Sequence, residues 1–205
     1  MPSISTVVFD IGNVLIRWDP RFLYRELIDD EARMERFLAE VCTPAWNLEQ
    51  DRGRDWAEAV AELVARHPGD ADLIRAFDER WSEMVPGPIE GSVAILEELS
   101  AAGVPLYAIT NFSAAKWAET RARFSFLDLF GEIVVSAHER VLKPDPTIYR
   151  LLFDRRGIDP RTAVFVDDSA ANVAGAEAVG MTAIRFTDPA DLRMRLRDLG
   201  LPLAG

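Results

Sequence analysis

Residues 6–14 read Thr-Val-Val-Phe-Asp-Ile-Gly-Asn-Val, and this segment gives the clearest indication of the fold. Its first four residues are apolar or β-branched, and such a nearly continuous run predicts a buried strand of a parallel sheet. Asp10 follows this run directly, and Gly12 comes two residues later, where we expect a sharp turn. Because ligands bind at the carboxyl ends of strands in open α/β sheets, Asp10 is a candidate functional residue.

Four later runs of the same kind predict the rest of the sheet, at residues 104–110, 132–136, 162–166 and 182–186. Stretches with helical spacing of apolar residues lie between most of them. Two of these, at 92–102 and 146–156, end at Gly103 and Gly157, and glycine is a common helix stop. Alternating strands and helices predict an α/β fold with a Rossmann-like parallel sheet and right-handed crossovers.

Residues 18–87 interrupt this alternation, because no convincing strand occurs between Pro20 and Pro86. Apolar side chains recur there at helical spacing, and we predict about four helices. The sequence therefore divides into a Rossmann-like core, at residues 1–17 and 88–205, and an inserted all-helical cap domain at 18–87. Within the insertion, the polar and aromatic residues 46–53 resemble a loop. Two interpretations stay open from the sequence: an ordinary connection between helices, or a segment that overhangs the sheet edge and selects substrates.

The charge of the chain argues against two classes of partner. Its 34 acidic and 23 basic residues give a formal net charge of −11, which repels nucleic acid and anionic membranes. No signal peptide and no apolar stretch long enough to span a bilayer are evident, so we expect a cytoplasmic protein that binds a small molecule. Oligomeric state is not predictable from these features.

Polar and charged residues follow the predicted strands or open a later helix, and they form one candidate set: Asp10, Thr110, Asn111, Lys143, Asp167 and Asp168. The carboxyl ends of neighbouring parallel strands lie close together. Three carboxylates that close need compensating positive charge, and Mg²⁺ accepts such ligands. With Lys143 as a second cation, the set predicts a phosphoryl-binding pocket in which Thr110 and Asn111 donate hydrogen bonds and one aspartate attacks phosphorus.

Taken one at a time, these residues have ordinary structural explanations. Asp10 can start a turn, Asp167 and Asp168 can stabilise a helix N-terminus, and Lys143 can lie on the surface before a helix. Their occurrence at successive elements of one predicted sheet favours a shared site.

The four segments resemble, in order, the four motifs of the haloacid dehalogenase superfamily. Residues 8–14 resemble the first motif, Thr110 the second, Lys143 in Lys-Pro-Asp-Pro the third and Asp167-Asp168 the fourth. The resemblance spans most of the chain, and the insertion is similar to the C1-type helical cap of subfamily I. The Asp-x-Gly-Asn-Val form also resembles the glucose-1-phosphatase-like branch. Most members of the superfamily are Mg²⁺-dependent phosphatases or phosphotransferases.

The resemblance implies a role for each matching residue. Asp10 is the expected nucleophile and a metal ligand, and Gly12 is expected to offer its backbone carbonyl to the metal. Thr110, with Asn111, is expected to hold the phosphoryl oxygens, and Lys143 to steady nucleophile and phosphate. Asp168 is preferred over Asp167 as the direct metal ligand of the fourth motif, and Asn172 is expected to act indirectly.

One departure from the family pattern concerns the proton donor. Typical family phosphatases have a second aspartate two residues after the nucleophile, and it protonates the leaving oxygen, whereas this chain has Gly12. Without a general acid, the reaction of a substrate with a poor leaving group is slower by roughly 10²–10⁴-fold. The glycine therefore favours substrates such as sugar 1-phosphates, or a proton supplied by water, the substrate or a cap residue.

These inferences predict a Mg²⁺-dependent phosphatase that acts on a small phosphorylated metabolite through an aspartyl-phosphate on Asp10. Two alternatives stay open from the sequence. One is a 2-haloacid dehalogenase that uses Asp10 as nucleophile, although Asp167-Asp168 and Ile11-Gly12-Asn13 are unlike its typical pattern. The other is a binding or regulatory member with weakened catalysis, for which Gly12 is the only support.

Overall fold

A computed structural model describes residues 3–204 of the chain. Over these residues its centre is a five-stranded parallel sheet of order β3-β2-β1-β4-β5. The strands are β1 (Thr6–Phe9), β2 (Leu106–Thr110), β3 (Glu132–Val135), β4 (Ala163–Asp167) and β5 (Thr182–Arg185). The predicted α/β fold with a Rossmann-like sheet is confirmed. The strand order reverses between β1 and β4, which is where open sheets of this kind bind ligands.

Burial on both faces explains why the strands are almost continuously apolar. On β1, Val7 and Phe9 belong to the larger apolar cluster, whereas Val8 between them packs into a second cluster on the other face. In the second cluster, Val8 lies with Ile109 of β2 and Phe165 of β4. Both faces of the sheet are therefore covered, as is usual for parallel sheets, and only the strand ends remain available for a ligand.

Five α-helices lie between β1 and residue 80 of the described chain: α1 (Arg21–Leu27), α2 (Glu31–Glu40), α3 (Pro44–Asp51), α4 (Trp56–Arg66) and α5 (Ala71–Glu79). Short 3₁₀ turns at Pro68–Asp70 and Trp81–Met84 accompany them. The prediction of an all-helical insertion is thus correct in type, with one α-helix more than expected. The division of the chain at 18–87 into a substrate-selecting cap stays a prediction.

Six further α-helices surround the sheet in the described part of the chain: α6 (Glu90–Ala101), α7 (Ala114–Arg123), α8 (Ser136–Glu139), α9 (Pro146–Arg156), α10 (Ala170–Ala178) and α11 (Pro189–Asp198). Additional 3₁₀ turns occur at Ser125–Leu129 and Pro160–Thr162. Among these residues, no helix is both long enough and apolar enough to cross a membrane.

Two predicted strand ends differ from the structure in ways that affect the site. The sequence predicts that Ser136 closes the third strand, but it begins α8. Its hydroxyl accepts a hydrogen bond from the Phe112 N–H and donates one to the Asp51 carbonyl. Asp167 was expected just beyond the fourth strand, but it is the last residue of β4 and is paired with Arg185 of β5. The sheet therefore holds the backbone of Asp167 directly.

The expected loop at residues 46–53 is wrong, because most of it forms α3. The side-chain oxygen of Thr43 accepts a hydrogen bond from the Trp46 N–H, and Pro44 occupies the first helical turn, so the helix has a regular N-terminal cap. Trp46 is buried and packs edge-on against Trp56 and Phe77, which stabilises the helix by tertiary contacts that the local sequence does not reveal. Asn47 and Asp51 of this helix line the same cavity as Asp10 at the sheet edge.

Candidate active site

Asp10 lies immediately after β1, at the centre of the sheet edge. Its backbone N–H donates to the Val166 carbonyl at 2.8 Å, which continues the β1–β4 ladder to this residue. The Ile11 N–H donates to Asp10 Oδ1 at 2.7 Å and fixes the direction of the carboxylate. The chain then turns sharply, with Asn13 in the left-handed region at φ 54°. This turn places Gly12 in the wall of the cavity that Asp10 also lines.

Lys143 connects the first and fourth predicted motifs. Its ammonium lies 2.8 Å from Asp10 Oδ1 and 2.7 Å from Asp167 Oδ2, and its side chain is wholly buried. Burial lowers the pKa of this lysine, but the two carboxylates outweigh burial and hold its pKa above the usual value. Lys143 is therefore a fixed positive charge between two aspartates.

Asn111 holds the backbone of Lys143 in place. The Lys143 N–H donates to Asn111 Oδ1 at 2.8 Å, and Asn111 Nδ2 donates to the Lys143 carbonyl at 3.1 Å. Thr110, the residue before it, is buried at the end of β2. The structure brings Asn111 to the site, with its amide directed at Lys143 while the residue also lines the cavity, whereas Thr110 is not among the residues that line it.

The two aspartates of the fourth motif differ in their surroundings. Asp167 is fully buried, and its Oδ1 accepts hydrogen bonds from the Ser169 N–H at 2.8 Å and Asn172 Nδ2 at 3.0 Å. Its Oδ2 takes the ion pair with Lys143. Asp168 is the most exposed of the three clustered aspartates and lines the cavity. Asp167 is thus engaged with protein groups, whereas Asp168 faces the space where a ligand would lie.

Together, Asp10, Asp167 and Asp168 form a cluster that is rich in negative charge. Each offers an oxygen atom, and these atoms lie within 4.8 Å of one another. Burial raises the pKa of Asp10 to about 7, partly offset by Lys143 and reinforced by Asp167. Burial and the Asp167 charge also raise the pKa of Asp168. Since one lysine faces three carboxylates, a further cation would relieve the cluster, and its oxygen-only ligands fit Mg²⁺.

A cavity of about 170 Å³ opens above this cluster. Core residues form one side of it, namely Asp10, Gly12, Asn13, Asn111, Phe112, Ser113, Lys116 and Asp168. Residues from the helical insertion form the other side, namely Trp18, Asn47, Asp51 and Trp81. The insertion therefore covers the sheet edge, and a bound molecule would contact both parts of the chain.

Contacts between core and insertion hold this arrangement together. The Trp56 indole N–H donates to Ser113 Oγ at 2.9 Å. The buried Lys116 ammonium on α7 pairs with Asp78 Oδ1 of α5 at 2.8 Å and also approaches Glu119 at 3.2 Å. The Trp56 and Asp78 links cross from the insertion to the loop and helix after β2, next to the cavity.

Asp51 is the most distinctive residue that the sequence analysis did not single out. Its Oδ2 accepts a hydrogen bond from Asn47 Nδ2 at 3.2 Å. Burial raises the pKa of Asp51 to about 7, against a smaller lowering by the backbone of Ser113. Asp51 lies within the segment 46–53 that the sequence marks as polar and aromatic, but that pattern does not show what its carboxyl group faces.

Known proteins with similar sequences identify the family of this chain. A sequence model of the haloacid dehalogenase-like hydrolases matches residues 4–180. The sesquiterpene phosphatase astK of Aspergillus oryzae is 27% identical over 96% of this chain and 97% of its own length. The glyceraldehyde 3-phosphate phosphatase of Methanopyrus kandleri is 26% identical over 89% of this chain and 84% of its own length.

A solved structure shares the fold. A HAD family enzyme of Bacteroides thetaiotaomicron, determined as a magnesium complex, has a TM-score of 0.73 over 96% of this chain and 100% of that chain, at 20% identity. The same enzyme has been solved with magnesium and inorganic phosphate, with a TM-score of 0.69 over 90% of this chain and 95% of that chain, at 22% identity. With the family match over most of its length, this chain belongs to the haloacid dehalogenase-like hydrolase family.

Proposed function

We propose that this protein is a Mg²⁺-dependent phosphatase that hydrolyses a small phosphorylated metabolite through an aspartyl-phosphate on Asp10. The observation that carries this proposal is the cluster of Asp10, Asp167 and Asp168 around one buried lysine, at the floor of a cavity. Two relatives named as phosphatases and a fold neighbour solved with magnesium and phosphate support it.

Asp10, Asp168 and the Gly12 carbonyl are the proposed magnesium ligands. Asp168 is preferred over Asp167, because the Asp167 oxygens are engaged by Lys143, Asn172 and the Ser169 N–H. When bound, Mg²⁺ neutralises charge on the phosphoryl oxygens and keeps the nucleophilic carboxylate ionised. Asp167 then acts indirectly, by keeping the Lys143 ammonium beside Asp10.

The remaining groups bind and orient the phosphoryl group. Asp10 attacks phosphorus while the leaving oxygen departs on the opposite side, and the Lys143 ammonium stabilises the negative charge that remains on the phosphoryl oxygens. Thr110 is proposed to donate a hydrogen bond to the same oxygens. Asn111 contributes by holding Lys143 in position, and water then hydrolyses the aspartyl-phosphate.

The walls of the cavity favour a leaving group with an apolar face. Trp18 and Trp81 of the insertion line it, and Phe112 of the core lines it as well. Such aromatic walls pack against the ring face of a sugar or a short hydrocarbon chain. We therefore propose that residues 18–87 act as a cap that selects the leaving group, with sugar phosphates among the candidate substrates.

The test is phosphate release from a panel that contains p-nitrophenyl phosphate, sugar phosphates and short alkyl phosphates. Wild type is expected to release phosphate with Mg²⁺ and to stop when EDTA removes it. Asp10→Asn, which keeps the shape of the side chain, is expected to be inactive while its thermal unfolding stays cooperative.

Two results would contradict the proposal. One is the absence of Mg²⁺-dependent phosphate release on the whole panel by folded wild type, which would favour a binding or regulatory role. The other is halide release from 2-chloropropionate in the presence of EDTA, which would favour the dehalogenase alternative.

A further inference from the structure

Cleavage of a phosphate ester requires a proton for most leaving oxygens, and Gly12 has no side chain to supply it. The cavity is lined, among the described residues, by four side chains with titratable groups: Asp10, Asp51, Lys116 and Asp168. On the proposed function, Asp10 is the nucleophile and Asp168 a metal ligand. Lys116 is paired with Asp78 and Glu119. Of these four residues, Asp51 alone has neither a proposed catalytic role nor an ion-pair partner.

The core fixes the position of Asp51 although the residue belongs to the insertion. The Ser136 hydroxyl of α8 donates to the Asp51 carbonyl at 2.6 Å. Gly53, at φ 103°, lies so close to α8 that an added Cβ would be 2.9 Å from the Ala137 carbonyl oxygen. The end of α3 therefore docks tightly on the core beside the site.

We propose that Asp51 is the general acid–base catalyst of the phosphatase reaction, in place of the aspartate that the family usually has at the position of Gly12. The proposal rests on the proposed function, and it adds a catalytic residue from the insertion. It also implies that the insertion must be closed for turnover, because opening would remove Asp51 from the cavity.

Each proton is accounted for in the two steps. In the first, the Asp10–phosphorus bond forms, the bond from phosphorus to the leaving oxygen breaks, and the Asp51 carboxyl group gives its proton to that oxygen. In the second, the Asp51 carboxylate takes a proton from water as the water oxygen bonds to phosphorus. The bond from phosphorus to Asp10 then breaks, releasing inorganic phosphate and restoring both aspartates.

The protonation state of Asp51 supports both steps. Because burial raises its pKa to about 7, protonated and ionised forms coexist near neutral pH, which is the range that suits general acid–base catalysis. The other charged groups around the cavity are Asp10 and Asp168 on the floor and Lys116 on α7. Lys116 is compensated by its own carboxylate partners, so it does not hold Asp51 ionised.

The test compares wild type with Asp51→Asn at saturating Mg²⁺ on two classes of substrate. The amide keeps the shape and can accept the same hydrogen bonds, but it cannot transfer the proton. With alkyl phosphates, we expect a loss of roughly 10²–10⁴-fold in kcat with little change in KM. With p-nitrophenyl phosphate, whose phenolate leaves without a proton, we expect a first-turnover burst of p-nitrophenol followed by slow steady-state turnover.

A matched control removes a carboxylate from the same helix. Glu49 is an exposed residue of α3 whose nearest cation is Arg52 at 3.6 Å, so Glu49→Gln is expected to behave as wild type on both substrate classes. Asp51→Glu is expected to recover part of the alkyl phosphate activity, because it restores the titratable group.

Several outcomes would overturn the proposal. One is an Asp51→Asn variant that turns over alkyl phosphates as fast as wild type. Another is a variant whose turnover falls equally on alkyl phosphates and on p-nitrophenyl phosphate, with no burst of p-nitrophenol. A measurement on wild type is independent of how the variant folds: a steep fall of the first-step rate with leaving-group basicity would show that no proton is transferred. If wild type releases no phosphate from any ester, the proposed function itself fails, which is a different result from an active enzyme that tolerates Asp51→Asn.

Discussion

The side-chain amide of Asn111 is paired with the backbone of Lys143 in both directions. Asn111 accepts the Lys143 N–H at 2.8 Å and donates to the Lys143 carbonyl at 3.1 Å. The two segments are 32 residues apart in sequence. This pairing joins the end of β2 to the segment that places an ammonium group between Asp10 and Asp167. Asn111 is therefore a positioning residue for Lys143.

Substituting Asn111→Ala is expected to lower kcat with little change in KM, because Lys143 loses its alignment while the phosphate contacts persist. It leaves a backbone donor and acceptor partly unsatisfied, so we expect a loss of about 1–3 kcal/mol in the free energy of unfolding. Steady-state kinetics and urea denaturation measure the two effects. A raised KM with unchanged kcat and stability would show instead that the amide binds the substrate directly.

Magnesium is expected to stabilise the folded protein without any substrate. A ligand that binds only the folded state adds about 2.7 kcal/mol at a concentration of 100 times its dissociation constant. Wild type is therefore expected to unfold at a higher temperature with increasing Mg²⁺. Asp168→Asn should respond much less, because a proposed ligand is lost.

The control for this measurement is Asp154→Asn, which removes one negative charge from an exposed position on α9, away from the cluster. Its response to Mg²⁺ is expected to equal that of wild type. A similar response in Asp168→Asn would mean that the ion binds elsewhere, and the proposed ligand set would then be wrong.

The sheet and its polar ends could be predicted from the sequence because local patterns determine them. Short apolar runs bounded by glycine, proline or aspartate occur at all five strands, and the α9 bounds coincide with the predicted helix. Parallel strands place their carboxyl ends at one edge, so the sequence predicts that Asp10 and Asp167 lie near one another, and the motif pattern adds Lys143. The structure brings them together through the Lys143 ammonium.

The opposite wall of the cavity could not be predicted in this way. Trp18, Asp51 and Trp81 reach it because the insertion docks on the core, and that docking depends on contacts between residues far apart in sequence. An example is the Ser136 hydroxyl, which bonds to the Asp51 carbonyl across 85 positions. Helical spacing predicts that such segments have an apolar face, but it does not predict which polar residue faces the ligand.

The raised pKa of Asp51 makes a prediction about stability. A carboxyl group whose pKa rises from 3.8 to about 7 on folding binds its proton more tightly in the folded state. Its contribution favours folding below about pH 4 and is lost as the pH rises to about 7. Since one pKa unit corresponds to about 1.4 kcal/mol, wild type should lose up to about 4 kcal/mol relative to Asp51→Asn across this range.

Urea denaturation of both proteins at a series of pH values measures this difference, with Glu49→Gln as the reference for an exposed carboxylate on the same helix. Wild type and Glu49→Gln should change in parallel. A difference between wild type and Asp51→Asn that is independent of pH would show that Asp51 titrates as an ordinary exposed aspartate. It would then lack the protonation state that general acid catalysis needs at neutral pH.

The open space at Gly12 allows the proton donor to be moved. A Cβ built on Gly12 meets no atom within 4 Å. Gly12 does not have a positive φ, so a side chain fits there without backbone strain. Gly12→Asp is therefore expected to restore alkyl phosphate turnover to the Asp51→Asn variant by at least about tenfold, as a relocated general acid. Gly12→Asn in the same background has nearly the same size but no transferable carboxyl proton, and it should restore nothing. Equal recovery by both substitutions would show that filling the space, rather than supplying a proton, limits the Asp51→Asn enzyme.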